Sequence, residues 1–212
     1  MLGFSNRKRQ AGDTLIEVLF AVTVFSLVVV TSLALMNQGT SASIRSLQIT
    51  LVRQEIDSQA EALRFLNSSY AAAYYKGYNP DTSDAASNPA EEYFKALTVI
   101  RAAGASSVSK FGGDGVTCQT PPARSFILNG RLGTYQPYDA SKISPADTFS
   151  QVVYAGDNSI TTAKGIWIEA VRSTPANGAS YTDFHIRACW YPPGTGQSMN
   201  LGTIVRLYEP AN

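Results

Sequence analysis

The chain has 212 residues, 44% of them hydrophobic, with 17 Lys or Arg, 16 Asp or Glu, one His and a formal net charge of +1. That length suits one compact domain with an extension rather than two full domains. From Gly39 onward 14 basic residues stand against 14 acidic ones, which argues against a sequence-blind electrostatic grip on nucleic acid as the main activity.

The chain begins with a basic segment, Arg7, Lys8 and Arg9, followed by Gly12, Asp13 and Glu17. Between Glu17 and Arg45 lie 27 consecutive uncharged residues, and Val18 to Met36 is nearly all apolar. About 20 such residues cross a bilayer as a helix. The positive-inside bias then places the N-terminus in the cytoplasm and the rest of the chain outside. A secretory signal peptide has a shorter apolar region, of about 7–15 residues. Beyond the membrane-length run, Ile44, Leu47, Leu51, Val52, Ile56, Ala60, Leu63 and Leu66 form the stripe of an amphipathic helix. No proline precedes Pro80, and Gly39 is the only glycine between Asp13 and Gly77. The spacing predicts one helix from about Thr14 to Tyr74, roughly 90 Å long at 1.5 Å per residue. The tyrosines at its end (Tyr70, Tyr74, Tyr75 and Tyr78) read as packing residues.

Next comes a loop rich in Gly, Asn, Asp, Ser and Pro, and then a helix start at Asn88-Pro89-Ala90-Glu91. Phe94, Leu97 and Ile100 give this helix an apolar side, and Gly104 is its expected stop. From Phe111 on, the candidates are short strands: RSFILNG, FSQVVYAG, GIWIEAVR, YTDFHIRACWY and LGTIVRLY, in an antiparallel sheet. In YTDFHIRACWY, Phe184, Ile186, Ala188 and Trp190 share one parity and Asp183, His185, Arg187 and Cys189 the other. That pattern predicts one buried and one wet face.

Both cysteines, Cys118 and Cys189, lie on the outward side, where a disulfide is favoured. It would close a loop of about 71 residues and add roughly 4 kcal/mol in the chain-entropy model. The polar parity of Cys189 suits a bridge that pins the Gly-rich Cys118 loop over the sheet. His185 has no serine singled out beside it for nucleophilic catalysis. Two distant cysteines and one histidine lack zinc spacing. The sequence predicts no enzyme, no cofactor and no metal site.

Two readings of Glu17 compete. Thr14-Leu15-Ile16-Glu17 has the form of a capping box. Taken with what precedes it, Gly12-Asp13-Thr14-Leu15-Ile16-Glu17 resembles the prepilin cleavage and methylation motif of type IV pilins and pseudopilins. The resemblance covers Gly12 to about Met36 and joins basic leader, glycine, Thr-Leu-Ile-Glu and apolar helix. It implies that a prepilin peptidase cuts between Gly12 and Asp13, that the new amine on Asp13 is N-methylated, and that Glu17 serves as an assembly and register charge. Leu15, Ile16, Val18, Leu19, Phe20, Val24, Phe25 and Leu27 would then lie in the membrane first and in a filament core afterwards. Phenylalanine is usual where Asp13 stands, and the kinking proline of many major pilins is replaced by Ala34; Asp13 points to a minor subunit.

The expected fold is α+β and pilin-like, a long N-terminal helix packed on a small antiparallel sheet domain. Its expected divisions are a removed leader (1–12), a transmembrane and filament-core helix (13–38), the outer half of that helix (39–76), a loop with a short helix (77–110) and the sheet domain (111–212). Expected partners are the peptidase, other pilin subunits, the assembly machinery and the membrane. The alternatives are a pseudopilin of a secretion or DNA-uptake system and a membrane-tethered adhesin or binding module.

Overall fold

A computed structural model of the chain describes residues 13–77, 88–104, 107–108, 117–118, 120–194 and 196–210. The chain divides into two units, Met1–Ile44 and Arg45–Asn212. Helix α1 (Asp13–Tyr74) contributes to both, and α2 (Pro89–Ala103) belongs to the second. Eight strands follow: β1 (Phe126–Asn129), β2 (Thr134–Pro137), β3 (Ile143–Ser144), β4 (Gln151–Tyr154), β5 (Ile160–Lys164), β6 (Ile166–Ser173), β7 (Tyr181–Trp190) and β8 (Met199–Tyr208). The fold is α+β.

In the second unit the buried line of α1 runs through Gln48, Val52, Ile56, Gln59, Ala60, Leu63, Leu66 and Tyr70. This shifts the expected stripe. Leu47 and Leu51 remain exposed, because at about 100° per residue they sit well round the helix from Val52; Ile44, exposed as well, belongs to the first unit. Two glutamines take places on the buried line instead. Gln59 is fully buried; its amide donates to Leu128 O at 2.9 Å and accepts from Leu128 N at 3.0 Å. One side chain thus serves both backbone groups of a β1 residue, as a neighbouring strand would.

Helix α2 starts as expected. Glu91 N donates to Asn88 Oδ1 at 3.0 Å, and the reciprocal bond completes a capping box. Gly104 ends it in the left-handed region at φ 54°. Leu97 and Ile100 are buried, but the large buried aromatic is Tyr93, with Phe94 only half-buried. Tyr70 packs on both, with ring centroids 5.5 and 6.1 Å away. Tyr74 is half-buried, Tyr75 is exposed, and Tyr78 lies outside the described residues.

The strands form two sheets, not the one expected. The larger has the order β2-β1-β6-β7-β8 and is antiparallel throughout. The smaller, β3-β5-β4, contains a parallel β3–β5 pair. Gly165 connects them, lying between Lys164 of β5 and Ile166 of β6. It has φ 62°, and a Cβ there would fall 2.3 Å from Cys189 O and 2.6 Å from the Ala146 Cβ. No other residue fits this crossing.

The wet face expected on β7 is wet only in part. Arg187 and Cys189 are buried, and so is Trp167, which lies opposite Arg187 on β6. Cys118 is tied to β7 by the Cys118–Cys189 disulfide, with Cα atoms 5.6 Å apart, and its N donates to the Tyr191 hydroxyl at 2.8 Å. On β6, Glu169 accepts from Trp167 Nε1 and from Arg187, each at 3.0 Å. Burial works against the Arg187 charge, and the Glu169 carboxylate offsets it. At the end of β8, Glu209 accepts from both Arg172 and Arg101 and so joins α2, β6 and the C-terminal segment.

Candidate assembly site on the N-terminal helix

The first unit contains every described residue for which the sequence predicts a role in assembly. Leu15, Ile16, Val18, Leu19, Phe20, Val24, Phe25 and Leu27 are all exposed, Phe20 at 70%. None is covered by the chain's own side chains. Fully burying a side chain of this kind is worth about 1.5–3 kcal/mol, so these eight, each roughly half to two-thirds exposed, represent on the order of 10 kcal/mol of unsatisfied burial. That is comparable to the whole stability of an ordinary domain, about 5–15 kcal/mol. A helix apolar on all sides needs an apolar surrounding, lipid or other helices. By length and hydropathy α1 can cross a membrane.

Its hydroxyls fit that surrounding. Thr23, Ser26, Thr31, Ser32, Thr40 and Ser41 each donate to a backbone carbonyl three or four residues earlier, at 2.6–3.2 Å. No hydroxyl in this group requires water, which is the condition for placing it in hydrocarbon.

Glu17 behaves differently. Helix α1 runs from Asp13 among the described residues, and no hydrogen bond joins Thr14 to Glu17 there. Among the described residues Glu17 has neither a hydrogen-bond nor an ion-pair partner, and it is exposed. A lone carboxylate at the hydrocarbon edge costs about 2.5 kcal/mol or more unless a cation meets it. Gly12 and the basic segment lie outside the described residues, as does the side chain of Asp13. The expected cut therefore falls at the boundary of what the structure describes.

The second unit shows no comparable deficit. His185 is half-buried; burial, then the neighbouring Arg187 charge, lowers its pKa, with Asp183 and Glu169 opposing. Among the described residues no three His, Cys, Asp or Glu side chains converge to hold a metal. Sequence reasoning missed the Trp167–Glu169–Arg187 cluster and the Glu209 junction. Both join residues distant along the chain, and no local spacing signals them. Comparison with protein-family models, with curated proteins and with solved structures returns no match.

Proposed function

We propose that this chain is a minor subunit of a type IV pilus-like filament, made as a precursor, cut after Gly12 and assembled through α1. One observation carries the reading: among the described residues Glu17 stands without a partner, and the 27 residues after it are uncharged, their large apolar side chains exposed. The precursor sits in the cytoplasmic membrane with its N-terminus inside. Cleavage removes Arg7, Lys8 and Arg9, three charges that hold the helix in the bilayer, and creates an ammonium on Asp13. In a bundle of staggered helices that ammonium meets Glu17 of a neighbouring copy. The pair neutralises both charges and fixes axial register, as a single buried polar position does in coiled coils. Leu15 to Met36 then exchange lipid for other helices, and the second unit forms the outer surface.

The test is intact-mass and N-terminal sequence analysis of surface filaments sheared from the producing cell. A chain beginning at Asp13 in that fraction supports cleavage and incorporation together. Uncut chain retained in the membrane, with peptidase and motor present, supports a tethered binding module instead. Glu17→Gln keeps size and polarity but removes the charge. We expect it to be processed and to be lost from filaments, and normal incorporation would sink the register role.

A further inference from the structure

The two edges of the five-stranded sheet are treated differently. At β2, Tyr135 N donates to Glu92 Oε2 at 2.7 Å, so a carboxylate from α2 occupies that edge. At the other end, β8 pairs with β7 over ten consecutive positions without a bulge. Two bonds fix the direction of its backbone groups. Cys189 N donates to Gly165 O, and Glu209 N donates to Ser180 O. By the alternation of an antiparallel ladder, Asn200, Gly202, Ile204, Arg206 and Tyr208 direct their N–H and C=O away from β7. Asn67 Nδ2 takes Tyr208 O at 3.3 Å. Among the described residues nothing takes the outward groups from Asn200 to Arg206.

Natural edge strands are guarded by shortness, bulges, Pro, or Lys and other charges directed outward. Strand β8 has ten residues, no Pro and no Lys. Its one charge, Arg206, is held at 2.7 and 2.8 Å by Asp183 and lies 4.0 Å over the Tyr181 ring. The edge is also self-complementary. Gly202 carries no side chain, and a hollow of about 300 Å³ lies there, lined also by Val108, His185, Arg187 and Ile204. Two residues on, Ile204 projects at 61% exposure. If two β8 strands are set antiparallel about a two-fold axis through Thr203, Gly202 of each faces Ile204 of the other. Asn200 then faces Arg206, so no like charges meet.

We infer that the β8 edge is an interface for a second copy of this chain, joined strand to strand about Thr203, with Ile204 of each copy seated in the Gly202 hollow of the other. The neutral, knob-and-hollow match to itself favours a second copy over a foreign strand. This interface uses no residue of the N-terminal helix.

Cysteine pairing in the full-length, membrane-resident chain tests it. Thr203→Cys places two thiols at a non-hydrogen-bonded pair, where Cα atoms are about 4.5 Å apart, within disulfide reach. Mild oxidation should give a disulfide-linked homodimer. Asn200→Cys and Arg206→Cys should each stay monomeric alone and cross-link when the two variants are co-expressed. Adding Ile204→Glu or Gly202→Val to Thr203→Cys should lower cross-linking at least about tenfold, with peptide mapping showing Cys118–Cys189 intact. The inference is overturned by absence of the Thr203→Cys dimer, by a dimer that ignores both added changes, by equal self-cross-linking of Asn200→Cys, or by cross-linking to a different protein. Because the readout is taken in the membrane, failure of filament assembly leaves it unaffected.

Discussion

Thr31 and Gln59 lie on the same helix, and their polar groups go to different places. Thr31 returns its hydroxyl to Leu27 O, one turn back on α1. Gln59 sends its amide across to both backbone groups of Leu128. Thr50, Ser68 and Ser69 of the second unit also bond back to α1, so the contrast lies in the amides and the apolar side chains. In the first unit the hydroxyls are closed on their own helix while the apolar side chains are open. In the second, Gln48 meets Trp190 at 3.3 Å and Asn67 meets the end of β8, while Val52, Ile56 and Leu63 are closed over. A helix segment that satisfies its polar groups locally and leaves its apolar ones open is prepared for an apolar surrounding. A segment that does the reverse has already found its partners within the chain.

Five variants break or sharpen that contrast, all measured on the detergent-solubilised full chain. Denaturant unfolding is followed through the fluorescence of Trp167 and Trp190, both fully buried. Leu63→Ala should cost about 3–5 kcal/mol, the range of a buried leucine that leaves a cavity. Leu27→Ala should leave the same transition unmoved, and a comparable loss from Leu27 would erase the distinction between the halves. Gln59→Ala should come next, at about 2–3 kcal/mol, since it leaves two buried backbone groups of Leu128 without partners.

A smaller effect is expected where the second unit closes on Glu209. Burial alone would raise its pKa, but hydrogen bonds from Arg172 and Arg101, with their charges, leave it below the usual glutamate value. A carboxylate with a lowered folded-state pKa contributes stability above its unfolded value. That contribution is lost as pH falls through the folded one. Arg172→Ala should therefore cost about 1–2 kcal/mol at neutral pH and progressively less as pH falls below the usual glutamate value and Glu209 protonates. A penalty that stays constant with pH would mean that Arg172 acts by packing alone. Small again, as for Leu27→Ala, Thr31→Val should shift the unfolding transition by less than about 0.5 kcal/mol, because its hydroxyl serves no other element.

Much of this architecture is legible from residue order, and the exceptions share a cause. The extent of α1 follows from periodicity without a breaker, and the limits of α2 from Asn88, Glu91 and Gly104. The longer strands announce themselves by alternation. Strands β2, β3 and β5 do not: TYQP and IS are too short to show a period, and ITTAK is half polar. The parallel β3–β5 pair depends on the crossing at Gly165, whose need for glycine is set by Cys189, far along the chain. The burial of Arg187 has a similar origin, for its partner Glu169 lies 18 residues away on β6. Ile44, Leu47 and Leu51 fit an apolar stripe but lie off the line that the domain covers. At the candidate site, the apolar run and the isolated charge of Glu17 are written in the sequence.

The disulfide has a mechanical consequence. Its bond joins positions 71 residues apart and encloses strands β1 through β6 and most of β7, while α1, α2 and β8 stay outside. Tension applied between the two ends of the chain is carried by the S–S bond and bypasses the enclosed strands. About 240 Å of extended chain, at roughly 3.4 Å per residue, is thereby withheld from stretching. The second unit can yield by peeling β8 or unwinding its helical parts, but its centre cannot lengthen until that bond is reduced.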